Sequence, residues 1–251
     1  MQRARFRFYG ALNDFLPAER RKTDASYTFW GRPAVKDAIE AQGIPHPEVD
    51  LILVDTRPVR FGYTLQDGDR VSVYPTSRQA GVPDGALRPP RPEPPRFVCD
   101  VHLGRLARSL RMLGLDVRYQ NDADDPALAE VADAETRILL TRDIELLKRS
   151  RVTHGAFVRA EDPDRQFAEM VVRFNLGDYA DPLTRCLRCN DPLQPVAKEN
   201  VVDDLPAKVR RLYDQFYRCP ECDQVYWNGS HVDQMRQTIQ RVLDRSRQAR
   251  R

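Results

Sequence analysis

Four of the five cysteines in this 251-residue chain stand in two close pairs, Cys186-Leu-Arg-Cys189 and Cys219-Pro-Glu-Cys222. Each C-x-x-C turns tightly enough to aim both sulfurs at one point. Two such knuckles supply four soft donors, a set that suits tetrahedral Zn²⁺ at about 2.3 Å. The odd cysteine total argues against a disulfide framework. A closed four-sulfur site contributes folding energy and no catalysis. Between Cys189 and Cys219 lie 29 residues, and the spacing of Val209, Leu212 and Phe216 predicts a helix that fills the gap. The fifth cysteine, Cys99, sits in an apolar run and reads as a buried thiol.

A second chemistry is carried by acids. In FVCDVHLGRLARSLRMLG (97–114) an apolar run stops at Asp100; Asp125 opens a later helix, and Asp143 ends ILLTRD. In a parallel sheet the strands share a direction, so acids that follow them collect at one edge. Adjacent strand ends are about 4.8 Å apart. Carboxylates there can share one divalent cation, or a pair about 3.5–4 Å apart. Hard oxygen donors suit Mg²⁺ or Mn²⁺. Each of these aspartates fits a helix N-cap equally well, Asp125-Pro126 above all. Asp162-Pro163 repeats the pattern and is a weaker fourth candidate. Arg105, Arg108 and Arg111 recur every third residue, away from Leu103, Leu106, Leu110 and Leu113. Such a row either steers a phosphate backbone or forms a solvated helix face.

The elements that must hold these residues follow from periodicity. Residues 1–76 read as strand, strand, helix, strand, strand, the order of a β-grasp (ubiquitin-like) fold. Residues 77–96 hold six prolines and two glycines and read as a stiff linker. Residues 97–180 alternate strand and helix, which implies a parallel sheet covered by helices. Residues 181–232 carry the paired cysteines, and 233–251 read as a basic helical tail with six arginines and two acids. The fold class is therefore α/β with a zinc ribbon, preceded by a β-grasp domain.

Composition narrows the function classes. Formal net charge is only +3, so bulk electrostatics does not single out nucleic acid. Of the 40 basic residues only five are lysine, and arginine's planar fork suits phosphate. No apolar run approaches the roughly 18 residues of a membrane span. Residues 1–30 lack the apolar core of a secretory signal. A cytoplasmic protein without membrane attachment is expected; oligomeric state has no signature here.

The combination of FVCDVHLGRLARSLRMLGLDVRY, DDPALAEVADAETRILLTRD, the paired cysteines and YWNGSH resembles the Mut-7 C-terminal RNase domain family over about 97–235. That resemblance implies a PIN-like nuclease core with a zinc ribbon. It also implies that Asp100, Asp125 and Asp143 hold the catalytic Mg²⁺ or Mn²⁺, with Asp124 an adjacent rival to Asp125. His231 falls at a family-typical position and either touches substrate or anchors a turn. Tyr226 and Trp227 either pack the ribbon or form a base-stacking surface. Residues 1–76, ending in DGDRVSVYP, resemble ubiquitin-like sulfur carriers, yet the chain continues TSRQAG with no diglycine end. A module that binds RNA or a partner protein is the expectation. The leading expectation is a metal-dependent ribonuclease acting on RNA. The alternative is a non-enzymatic RNA- or protein-binding adaptor with a nuclease-like core.

Overall fold

A computed structural model of the protein describes residues 1–75 and 87–248; residue 76, the first half of the expected linker (77–86) and the last three residues of the tail lie outside the described residues. In chain order the first half holds β1 (Gln2–Phe8), β2 (Ala25–Phe29), α1 (Val35–Glu40), β3 (Val49–Val54), β4 (Arg57–Val59), β5 (Arg70–Pro75), β6 (Phe97–Cys99), α2 (Gly104–Met112), β7 (Val117–Tyr119) and α3 (Asp125–Ala134). There follow β8 (Ile138–Thr141), α4 (Ile144–Leu147), β9 (Gly155–Phe157), α5 (Pro163–Phe174), β10 (Gln194–Val196), α6 (Ala207–Leu212), β11 (Phe216–Arg218), β12 (Val225–Trp227) and α7 (Ser230–Gln248). No helix among the described residues is long and apolar enough to cross a membrane. The chain forms two compact units, Met1–Arg91 with Ala132–Phe157, and Pro92–Val131 with Val158–Arg251.

The first unit is built on a mixed five-stranded sheet in the order β2-β1-β5-β3-β4. The central β1 and β5 run parallel, Phe6 opposite Val71 and Phe8 opposite Val73, while the other pairings are antiparallel. This is the β-grasp arrangement expected from the sequence, with β4 as an added edge strand. The alternation of β1 explains its place: Ala4, Phe6 and Phe8 point into the core, and Arg3 and Arg5 point out. Val35, Ala38 and Ile39 of α1 close that core, together with Ile52, Val71 and Val73.

Residues 132–157 belong to the same unit. Their strands β8 and β9 pair in parallel, Leu140 opposite Ala156. His46 joins them to the β-grasp: Nε2 meets the Val152 carbonyl at 2.8 Å and Nδ1 meets Glu40 at 2.7 Å. Glu48 is buried and accepts from the Phe157 amide at 2.7 Å. Packing is close around Gly155. A Cβ there would stand 2.6 Å from Leu147 and 3.3 Å from Pro47. No local sequence feature announces either partner of His46.

In the second unit β6 and β7 pair in parallel, Val98 opposite Arg118. Phe97, Val98 and Cys99 are all buried. The helical spacing of Leu103, Leu106, Leu110 and Leu113 buries one face of α2. Helix α5 presents Phe167, Met170, Val171 and Phe174, and the Phe97 and Phe174 rings meet edge-on with centroids 5.3 Å apart. The ribbon is a three-stranded antiparallel sheet, β10-β11-β12, over Val201, Leu205, Phe216 and Val225. The helix expected between the knuckles is α6. It ends at Leu212, and Phe216 opens β11 as a buried strand residue, since a strand is needed there to return the chain to Cys219.

Candidate functional site

The two knuckles bring all four sulfurs together. Cys186, Cys189, Cys219 and Cys222 place their Sγ atoms within 4.8 Å of one another. Individual separations are 3.6 Å for Cys186–Cys222, 3.4 Å for Cys189–Cys219 and 3.7 Å for Cys189–Cys222. A tetrahedron with Zn–S bonds of about 2.3 Å has edges of about 3.8 Å, so the donor set fits zinc. Both knuckles close the same way. The amide of Asn190 donates to the Cys186 carbonyl at 3.0 Å, and that of Asp223 to the Cys219 carbonyl at 3.0 Å. Asn190 and Asp223 both adopt positive φ, +75° and +57°, a conformation that Asn and Asp tolerate better than other side chains. The electrostatics also ask for a cation. Burial pushes the Cys189 and Cys222 thiols up. Burial would do the same to Cys186, but hydrogen bonds from Tyr226 and from the Cys189 and Arg188 amides outweigh it and lower that thiol to about 6. Four crowded sulfurs cannot all ionise without a metal to hold them.

Sequence reasoning singled out Tyr226 only as a packing or stacking ring, and it missed Asn190. The Tyr226 hydroxyl lies 3.2 Å from Cys186 Sγ and accepts from the Leu187 amide at 3.0 Å. Asn190 is buried; its Oδ1 accepts from the Val117 amide at 2.9 Å and its Nδ2 donates to Asp116 at 2.8 Å. The first knuckle is thereby tied to β7. The only signal for Asn190 is its place directly after a C-x-x-C.

Arg111 departs from the row of phosphate-facing arginines expected on α2. It is 4% exposed, and its guanidinium donates to the carbonyls of Val117 at 3.0 Å, Leu187 at 3.2 Å and Arg188 at 2.9 Å. An arginine every third residue sweeps round a helix of 3.6 residues per turn, so the third member turns toward the core. Arg105 and Arg108 remain exposed. His231 lies in α7, and its side chain is outside the described residues.

The acids divide between the units. Asp100, in the second, is 6% exposed at the end of β6 and takes the His102 amide at 3.3 Å. Asp125 is the first residue of α3, but the cap is its neighbour: Asp124 accepts from the Ala127 amide at 2.9 Å. The Asp125-Pro126 pair therefore sits one position inside the helix. Asp143, in the first unit, is exposed and caps α4, its Oδ1 accepting from the amides of Glu145 at 2.7 Å and Leu146 at 3.3 Å. Asp162 caps α5 through Asp164 and Arg165, as its cap reading anticipates. Cys99 is fully buried, and burial pushes its thiol up to about 12, so it is inert at neutral pH.

Comparison with known proteins gives this arrangement a context. Residues 95–239 match the family profile described as the Mut7-C RNAse domain, and residues 1–80 match that described as Mut7-C ubiquitin. A human protein, "Exonuclease mut-7 homolog", is 38% identical over 101 residues, which is 38% of this chain and 12% of that protein. The chain thus spans about an eighth of that relative's length. No solved structure matches. With a Mut7-C ubiquitin segment ahead of a matched region that takes in α2, both knuckles and most of α7, the chain belongs to the Mut7-C RNAse domain family.

Proposed function

We propose that the protein is a metal-dependent ribonuclease with a PIN-like core, in which Asp100 and Asp125 of the second unit hold Mg²⁺ or Mn²⁺. The observation that carries this reading is Asp100: a nearly buried carboxylate at the carboxyl end of an apolar parallel strand, inside a segment matched by an RNAse domain family. A carboxylate at the carboxyl end of a parallel strand stands at the sheet edge where ligands collect. The donor set is all carboxylate oxygen, which suits a hard cation. Bound there, Mg²⁺ or Mn²⁺ supplies an activated water and neutralises charge on the phosphate oxygens. The chain's own part is to hold the carboxylates still and to bring RNA to them. The exposed Arg105 and Arg108 steer the phosphates. The four-cysteine site holds structural zinc, and the ubiquitin-like domain docks a partner protein or RNA.

The test is cleavage of mixed RNA with Mg²⁺ or Mn²⁺ by the zinc-loaded full chain, beside Asp100→Asn and Asp125→Asn. Cutting by wild type and loss in both variants is expected. If none cuts, or all cut equally, the enzyme reading fails and the adaptor reading takes its place. The human relative is named an exonuclease, and the products decide whether that holds here: mononucleotides from one end, or internal fragments.

A further inference from the structure

A cavity of about 510 Å³ in the second unit opens beside the zinc ribbon. Its walls come from α2, the first knuckle, α6 and β12. Leu187, Val209 and Leu212 make it apolar, Tyr213, Tyr226 and Trp227 add aromatic rings, and Arg108, Arg185 and Lys208 supply the charge with no carboxylate among the lining side chains. Arg185 is engaged, donating to the Asn190 carbonyl at 3.2 Å with Asp116 at 3.9 Å. Arg108 and Lys208 are exposed and make no hydrogen bond or ion pair among the described residues. Leu212 is 53% exposed, high for an aliphatic side chain.

We propose that this cavity binds a nucleotide of single-stranded RNA, its base against the Trp227 and Tyr213 rings and its phosphates at Arg108 and Lys208. The argument is one of complementary chemistry. Uncompensated cations select an anion, and an apolar slot with aromatic walls selects a flat ring. A nucleotide of an unpaired strand offers both together, whereas a duplex hides its base faces. The rings are held ready. Tyr226 is pinned through its hydroxyl to Cys186 and Leu187. Trp227 lies against Gly229, where a Cβ would come within 3.0 Å of Nε1 and 3.2 Å of Cδ1. The zinc ribbon would then grip the strand that the acids cut, so the proposal rests on the RNA reading above for its substrate class.

The experiment uses the zinc-loaded full chain without Mg²⁺ or Mn²⁺, so that binding is read apart from cleavage. The protein has two tryptophans, and Trp30→Phe leaves Trp227 as the only reporter. A short unstructured RNA should quench its emission saturably, and the matching duplex should do so far more weakly. Arg108→Glu with Lys208→Glu, both exposed and so harmless to folding, should weaken binding by about tenfold or more. The same pair should make the salt dependence of affinity shallower by about 1.4, at about 0.7 per single-strand phosphate. Zinc content equal to wild type confirms an intact ribbon. RNA that binds without quenching Trp227, or binds the double variant equally well, overturns the proposal. So does quenching by an acidic peptide where RNA has no effect, which would make the cavity a protein-docking site. Asp100→Asn should bind RNA as wild type does; failure of cleavage and failure of this site are therefore separate results.

Discussion

Arg111 donates through Nη1 to the carbonyl of Arg188 at 2.9 Å, across 77 residues of chain. Arg188 lies between the first two of the four clustered cysteines, so the helix behind Asp100 holds the knuckle in place. The same guanidinium reaches Leu187 and Val117. Three carbonyls depend on one buried side chain. Arg111→Met is expected to leave them without that donor and to cost about 3 kcal/mol. Zinc should also be released at lower chelator concentration than from wild type. Thermal denaturation and a chromogenic zinc chelator measure the two effects. An unchanged midpoint would mean that Arg111 faces solvent after all.

Asp124 and Asp125 offer a sharper contrast, because the proposed reading gives neighbours with the same side chain different work. Asp124 caps α3 through the Ala127 amide. Asp124→Ala should cost about 1 kcal/mol of stability and leave cleavage as it was. Asp125→Asn, on that reading, should lose Mg²⁺- or Mn²⁺-dependent cutting. Measured side by side on purified protein, the opposite pattern would move the metal ligand to Asp124.

Local patterns carried far in the sequence. The alternation of Arg3 to Tyr9, the leucine spacing of α2 and the two C-x-x-C pairs are short-range signals, and β1, α2 and the sulfur cluster follow from them. What stayed hidden is long-range. Nothing beside His46 points to Val152, 106 residues away, and nothing beside Arg111 points to Leu187. Acids at strand ends are ambiguous in a physical sense. A metal ligand and an N-cap need the same residue at the same place, since helices begin where strands end. Asp162 turns out to cap α5, and Asp143 caps α4 whatever else it does.

His154 gives the chain a pH dependence. It is 2% exposed, and neither ring nitrogen has a hydrogen-bond partner among the described residues. Burial first, then the charges of Arg88 and Arg91, lower its pKa from 6.5 to about 4. Below pH 6.5 the unfolded chain takes up a proton that the folded one refuses, so stability falls as pH drops. The loss continues to about pH 4, then levels. It amounts to at most about 3.5 kcal/mol, since each tenfold difference in proton affinity between the two states is worth about 1.4 kcal/mol. Carboxylates titrate in the same range, so the measurement is a difference. Denaturant midpoints of wild type and His154→Leu are compared at pH 7.5 and pH 5, and the variant should lose less on acidification. Equal losses would show that His154 is protonated in the folded state.

Tyr226 links zinc to the fold of the ribbon. Its hydroxyl bridges Cys186 Sγ and the Leu187 amide, orienting a ligand and one turn of the knuckle at once. Outer partners of this kind typically govern metal affinity by about 10–100-fold. Tyr226→Phe keeps the ring and removes only the bridge, so zinc affinity should drop by about that factor in a competition titration with a chelator. Stripping the metal altogether should go further. The ribbon core of Val201, Leu205, Phe216 and Val225 is small, and zinc in such sites contributes on the order of 10 kcal/mol. Chelation should therefore unfold the ribbon and shift the emission of Trp227, which packs on that core. Trp30 is 72% exposed in the other unit and serves as the internal control, read in a Trp227→Phe background. A Trp227 spectrum that survives complete zinc removal would show that the ribbon folds without its metal.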